Sequence, residues 1–466
     1  VQSSPAGHGL WLPHAAIRLR RGDLAIGGKF MSEVPSGFDE MAKYPLFEAL
    51  FKRRSRRISL GIKTIRAGSN TYTSNADPQP LSELEEAVLI AAVGLTGLTM
   101  PDRPFESTTG EKILGTPNLN MPGRAAGSTD NAQATYFFLF NDTGTYFLKR
   151  LETFDAGAPL TPELLISRAR ASKVKILDKR PDFPREFPYY LDSNRFLSNV
   201  PGSTILFPVV DMTRQYINAL MYLLTEPQGF RPAILDDRNF YLPAGVCKWI
   251  RSGFLNKQIK LPLGILGTMR TQIEAELLLQ NLILMLQAIG LGGWIHASVA
   301  PIKLLPALGF KIVTPPFRPL DLLRWGTITE SARSHPVGLA PHILGMCPPY
   351  YKSMEDAVQA VVDSKYGPGG TYTDEAYFRT VFKDDRGERY LSEVPHYQDD
   401  VIACVKDICT YIYKTHGRFP AHCDAIYAPG VWLQAHHLDL NYYDTLFKAG
   451  YTETQREHQR RWHGSA

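Results

Sequence analysis

The sequence predicts a soluble globular protein of mixed helix and strand, organised round one helix that is apolar on almost every side. Three observations carry this. Residues 268–289 hold an unbroken supply of large apolar side chains from Leu277 to Ile289. Gln272, Glu276, Gln280 and Gln287 form a narrow polar seam, with Glu274 and Asn281 roughly opposite. A helix of that character belongs in a large core or at a subunit interface. Gly290-Leu291-Gly292-Gly293 then ends it, glycine supplying the left-handed residue a helix C-terminus wants, and Trp294 to Val299 reads as a short buried strand. Finally, the aromatic runs Ala134 to Phe140 and Thr145 to Leu148, joined by the turn Asn141-Asp142-Thr143-Gly144, read as a hairpin.

At 466 residues, 44% apolar and 21% charged, the chain can bury a substantial core in one large or two ordinary domains. A net charge of +5 is too small over this length to point to nucleic acid, and the aromatics are not interleaved with the basic clusters. No apolar run of about 18 residues is free of charged or amide side chains, so no membrane span is expected. The five cysteines (Cys247, Cys347, Cys404, Cys409 and Cys423) are odd in number and lack a C-x-x-C pair. They read as reduced thiols in a cytoplasmic protein.

Residues 1–30 differ in character from the rest and precede Met31, so they read as an extension or an added segment without the features of a signal peptide. A helix is expected from Phe38 to Arg54, ending in Lys52-Arg53-Arg54-Ser55-Arg56-Arg57. Cations favour helix C-termini and a charge run is usually a solvated face. Arginine forks with a serine among them also suit a phosphate, so both readings stand. Ser82-Glu83-Leu84-Glu85 is a capping box opening an apolar helix. Residues 99–127 read as a long loop leading into Ser128-Thr129-Asp130-Asn131-Ala132-Gln133 and the hairpin. Thr161-Pro162 starts a helix, Ser203 to Val210 is a strand, Tyr216 to Leu224 a helix, and Leu308 to Val313 a last core strand. From about 330, prolines punctuate a linker-like stretch and helices follow near 353–363 and 396–414. Residues 416–444 gather His416, His422, Cys423, Asp424, His436, His437, Asp439 and Asp444. Without H-x-x-x-H or C-x-x-C spacing, no metal site is assigned to them.

Three separated segments together resemble the nitroreductase-like flavoprotein family. Arg53-Arg54-Ser55-Arg56-Arg57 is similar to its early Arg-x-Ser-x-(Arg/Lys) signature. Ser128 to Gln133 resembles its Ser-Ser-x-Asn-x-Gln element. The central helix ending in Ala288-Ile289-Gly290-Leu291-Gly292 resembles its long helix and Gly-Leu-Gly exit. The resemblance covers about residues 40–320 and implies an α+β fold: a central mixed sheet flanked by helices, as an intertwined homodimer with FMN where subunits meet. It implies that Arg53, Arg54, Ser55 and Arg57 hold the flavin phosphate and ribityl chain, with Ser128, Asn131 and Gln133 at the ribityl or ring edge. Ala297 and Ser298 would lie beside the ring, and Lys311 or Arg318 would be a second phosphate contact. The sequence departs from the family where Ala297-Ser298 replaces Glu-Gly, in the longer 99–127 loop and in the extra tail.

The sequence therefore predicts an FMN-binding domain over 31–329 and a mainly helical C-terminal extension, 330–466, packed on it. The expected activity is electron transfer between the flavin and a small organic molecule of nitro, quinone or azo type, with NADH or NADPH as candidate donors. The alternatives are a flavin-dependent dehydrogenase of a peptide-derived or natural-product intermediate, and a non-catalytic dimeric scaffold. Residues 396–450 are expected to fold onto the core, either only covering an exposed face of it or also bringing their polar residues, with the long loop, to the pocket mouth as a lid.

Overall fold

The fold is that of a computed structural model, which describes residues 34–66, 68–99, 120–151, 159–182, 184–187, 189–225, 229–262, 264–297, 301–316 and 334–464. Two short helices, α1 (Ser36–Ala42) and α2 (Leu46–Lys52), stand where one was expected. Pro45 breaks the run, having no N–H to donate and pushing Tyr44 away from helical geometry. Helix α3 (Glu83–Ala92) opens on the expected capping box. Ser82 Oγ accepts from the Glu85 N–H at 3.3 Å, and the Glu85 carboxylate accepts from the Ser82 N–H at 2.6 Å. The hairpin forms as β1 (Thr135–Asn141) and β2 (Gly144–Leu148), followed by α4 (Pro162–Ser172), β3 (Lys173–Leu177), β4 (Thr204–Asp211) and α5 (Met212–Thr225). The central helix, α6 (Gly264–Ile289), runs through Gly290 in the left-handed region into β5 (Gly292–Ala297). The later chain gives α7 (Met354–Tyr366), α8 (Asp399–His416), β6 (Ile426–Tyr427), β7 (Val431–His436) and α9 (His458–His463).

The protein is α+β, and its large sheet has the order β5-β7-β4-β1-β2-β3, with β6 pairing on β4. Each of these pairings is antiparallel, a correction to the mixed sheet expected from sequence. Among the described residues the parallel pairing is in a separate three-stranded sheet, between Pro232–Asp236 and Asn256–Pro262. A second correction concerns the tail. It holds helices and strands, and it is not an outer layer. Strand β7 lies between β5 and β4, so Gln434 pairs with Trp294 on one side and Ile205 on the other. His436, His437 and Asp439 are buried with it and so do not stand at a pocket mouth, whereas Asp444 is exposed and residues 100–119 of the expected long loop lie outside the described residues. Of the expected last core strand, Lys311–Val313 is extended and pairs with His335–Leu339 outside the large sheet.

Both faces of the sheet are covered, which is why β4 is buried at all eight positions. Side chains alternate along a strand. Phe137 and Leu139 face a core with α3, α4 and α6, while Phe138 and Phe140 face Phe207, Trp432 and the Leu304–Phe310 segment. A further core joins α5, α7 and α8. No helix among the described residues is long and apolar enough to cross a membrane.

Candidate functional site

Helix α6 carries a different polar assembly at each end. In its first half Glu274 is buried, as its position opposite the polar seam requires. A buried carboxylate needs charge and hydrogen bonds around it. Arg124 Nη1 supplies the charge at 3.0 Å, both side chains being almost fully buried. The Thr135 N–H donates to Glu274 at 2.7 Å and Ser128 Oγ donates to its other oxygen. Burial pushes Arg124 down to about 10, against the pull of Glu274.

The Ser128–Gln133 turn is built on this ion pair. Asn131 and Gln133 both have positive φ, 52° and 49°. Asparagine tolerates that region and glutamine does so at a cost, so the surroundings must hold the turn in place. Ser128 Oγ accepts from the Gln133 N–H at 3.0 Å. Asn120 donates to the carbonyls of Asn131 and Ala132 at 3.3 and 2.9 Å, and Asn131 returns a bond to the Asn120 carbonyl at 2.9 Å. Gln133 Nε2 donates to Pro122 O and Asn131 Oδ1, at 2.9 and 2.8 Å, which fixes the amide's orientation. Its Oε1 is buried and has no hydrogen-bond partner among the described residues.

At the other end of α6, the basic run passes across the start of β5. Only Arg56 turns inward: its N–H donates to Gly293 O at 3.1 Å and its Nε to Gly450 O at 2.7 Å. Arg54 and Ser55 are exposed, Arg53 is half-buried, and Arg57 is exposed with its guanidinium 5.5 Å from the Trp294 ring centroid. Arg57 also reaches Ser193 O at 3.4 Å. Among the described residues no carboxylate pairs with Arg53, Arg54 or Arg57, whereas Lys52 just before them is paired with Glu48 at 2.6 Å. The same corner exposes Phe47 and Phe51, in contact at 4.6 Å between ring centroids, and Phe196 beyond Ser193. Ala297, exposed at the end of β5, accepts at its carbonyl from Asn194 at 3.3 Å, so Arg57 and Ala297 share the 193–194 loop. Between them His296 is pushed down to about 3, by burial first and by the charge of Arg57 second.

Thus Arg57 and Ala297 come together, and so do Ser128, Asn131 and Gln133. The two groups do not. From Glu274 to the end of α6 is about 22 Å at 1.5 Å per residue. Ser298 and Arg318 lie outside the described residues. Sequence reading passed over Arg124 and Arg56; Glu274 on an apolar helix was the available signal, because such a carboxylate demands a cation from elsewhere. A cavity of about 130 Å³ lies beside Arg124, floored by Ala87, Ile90, Leu148 and Leu165 and edged by Arg150 and Arg168. None of the expected cofactor residues lines it, and it is small beside the ~300–1,000 Å³ of ordinary ligand pockets.

No known family matches the chain, and no curated protein matches it. Among solved structures, a chain described as a "putative nitroreductase" from Ralstonia eutropha JMP134 is similar over 57% of this chain and 76% of that one. The identity is 16% and the TM-score 0.27. Overlap at that level assigns no activity here.

Proposed function

We propose that this protein is an FMN-dependent oxidoreductase whose flavin phosphate is held by Arg53, Arg54, Ser55 and Arg57. The observation that carries the reading is the corner itself: three outward arginines and a hydroxyl without a carboxylate partner, bordered by exposed aromatic side chains. A phosphate with nearly two negative charges is matched by such a set, and an aromatic ring system by the apolar border. Gln133 Oε1 fits the polar end of the same group, as a buried acceptor still open to an N–H or O–H.

The two sets sit toward different ends of the stretch from Glu274 to Ile289, about 22 Å of helix. The reading therefore includes a homodimer in which one subunit's arginine corner faces the partner's Ser128–Gln133 turn. Exposed Phe47 and Phe51 on α2 and Ile273 and Leu277 on α6 would be the surfaces that such pairing covers. Bound there, the flavin would supply the electron transfer, with NADH or NADPH as donor and a nitro, quinone or azo compound as acceptor. This chain's residues would bind and orient it; Ala297 and Ser298 would border the ring.

The test is a titration of the purified chain with FMN, followed by flavin fluorescence, combined with sedimentation at micromolar concentration. Saturation at one FMN per chain in a dimer is expected, with bleaching on addition of NADH or NADPH. A colourless protein that does not take up FMN overturns the reading and leaves a dimeric scaffold or a monomer, which sedimentation separates.

A further inference from the structure

The carboxylate of Glu85 has more to do than cap a helix. It is completely buried, and one oxygen, Oε2, is spent on the Ser82 N–H. The other, Oε1, lies 2.7 Å from His458 Nε2 and 3.3 Å from His463 Nε2, while His437 Nε2 is 3.7 Å from Oε2. One ligating atom from each of the four residues lies within 4.8 Å of all the others. The three imidazole centroids are 5.1, 5.2 and 5.6 Å apart, so three rings converge on one carboxylate.

Hydrogen bonding does not use up this arrangement. The buried Nε2 atom of His437 makes no hydrogen bond among the described residues, and that of His458 is turned to the carboxylate at 2.7 Å. His458 Nδ1 sits 3.0 Å from Ile289 O, so Nδ1–H donates there and Nε2 is the ring atom turned inward to the carboxylate. His437 Nδ1 faces the side-chain amide of Gln459 at 3.2 Å. Gln459 and Gln79 form a reciprocal amide pair, at 3.2 and 3.0 Å. Turning both amides over preserves that pair and presents an oxygen to Nδ1–H, freeing Nε2 on this ring as well.

We propose that Glu85, His437, His458 and His463 bind a divalent transition-metal ion of the zinc type. Three imidazole nitrogens and one carboxylate oxygen form a tetrahedral donor set of the kind zinc takes. Zinc–ligand distances near 2.0–2.1 Å put tetrahedral donors about 3.3 Å apart, and the two imidazole distances to Oε1, 2.7 and 3.3 Å, fall at or below that value. Ser82, Ile289 O and Gln459 are the outer groups that hold three of the ligands in orientation. Three ligands are buried and the fourth, His463, is mostly covered, so the site is closed and structural. It ties α9 and the end of β7 to the start of α3, joining segments more than 350 residues apart in the chain.

The experiment uses the full chain without a histidine tag, stripped with chelator and dialysed. Its zinc content is measured by mass spectrometry and its melting followed with and without added Zn²⁺; Co²⁺ is then added as a spectroscopic probe. One zinc per chain, a melting point raised by zinc and the strong visible bands of tetrahedral Co²⁺ are expected. His463→Ala, at the least buried ligand, should weaken zinc binding more than about 100-fold while the chain stays folded by circular dichroism. Gln459→Ala, which only orients His437, should weaken it about 10–100-fold. The proposal is overturned if wild-type protein melts identically with and without zinc and retains none. It is equally overturned if a His437→Ala/His463→Ala variant binds zinc as tightly as wild type, which would place the ion among the other histidines. The wild-type titration decides even if a variant does not fold.

Discussion

The two ends of α6 hold the same kind of side chain in opposite circumstances. At one end Arg124 is sealed inside the protein against Glu274, with Thr135 and Ser128 filling the remaining carboxylate positions. At the other, Arg53, Arg54 and Arg57 face outward without a carboxylate, and only Arg56 is turned in, onto backbone carbonyls. A guanidinium that is buried must be fully satisfied or it costs several kcal/mol, so Arg124 and Arg56 are committed to the fold. A solvated guanidinium costs nothing to leave free and can be committed to a ligand. Burial thus separates arginines committed to the fold from arginines left to solvent, which are indistinguishable in the sequence.

The largest effect belongs to the sealed end. Glu274→Gln leaves Arg124 charged, buried and unmatched, and should lower the unfolding free energy by about 3–5 kcal/mol in urea denaturation. A loss below ~1 kcal/mol would mean that water reaches the pair and that the contrast between the two ends is false.

Acid tests the open end through His296, beside Arg57. Its folded pKa is pushed down to about 3 by burial and then by Arg57, and that of His422 to about 4 by burial and then by Arg238 and Arg418. An unfolded histidine titrates near 6.5, so below that pH the unfolded chain binds protons that the native chain refuses. Stability contributed by these groups is complete above about pH 6.5 and is lost as the pH falls toward 4 and then 3, with each group contributing up to about 1.4 kcal/mol per pH unit. His296→Gln should flatten that slope between pH 6 and 4. An unchanged slope would show that His296 is protonated in the native state.

What could be read from the sequence was local. The capping box at Ser82, the hairpin 135–148, the helix–glycine–strand passage at 289–293 and the strand 204–211 are each specified by neighbouring residues, through caps, turns and runs of apolar side chains. The sheet's order is not. Strand β7 pairs with β5 across more than 130 residues, and Glu274 meets Arg124 across 150. No spacing rule carries such partners. The proposed metal ligands escaped for the same reason: Glu85 was already explained by its cap, and the tail histidines lacked a spacing motif because their carboxylate lies in α3. At the arginine corner, residue types allowed a solvated face or an anion site, and which arginine turned inward depended on where Gly293 and Gly450 fell.

An exposed pair calibrates the sealed one. Arg170 and Glu83 make a bidentate contact, both bonds 2.6 Å, with side chains 59% and 44% exposed. Its geometry is better than that of Arg124 and Glu274, yet solvent screens it, so Arg170→Ala should cost less than about 1 kcal/mol. If the two pairs cost the same, hydrogen-bond geometry and not burial sets the scale.

The smallest effect on stability should come from the corner itself. Arg53 makes no side-chain hydrogen bond among the described residues, and Arg57 makes one long one and a distant ring contact. Arg53→Ala/Arg57→Ala should therefore change the unfolding free energy by no more than about 0.5 kcal/mol. On the flavin reading the same variant loses two charge-assisted bonds to phosphate, each worth about 1.5–3 kcal/mol, and so about 100-fold or more in FMN affinity. Arg56→Ala should do the reverse within the same five residues. It removes the bond to Gly450 O from a buried position, destabilises the fold and touches no ligand directly. The crossed pattern is the decisive one, read by urea denaturation on one axis and by fluorescence titration with FMN on the other. If the double variant binds FMN as wild type does, the outward arginines are a solvated face and the proposed site is elsewhere.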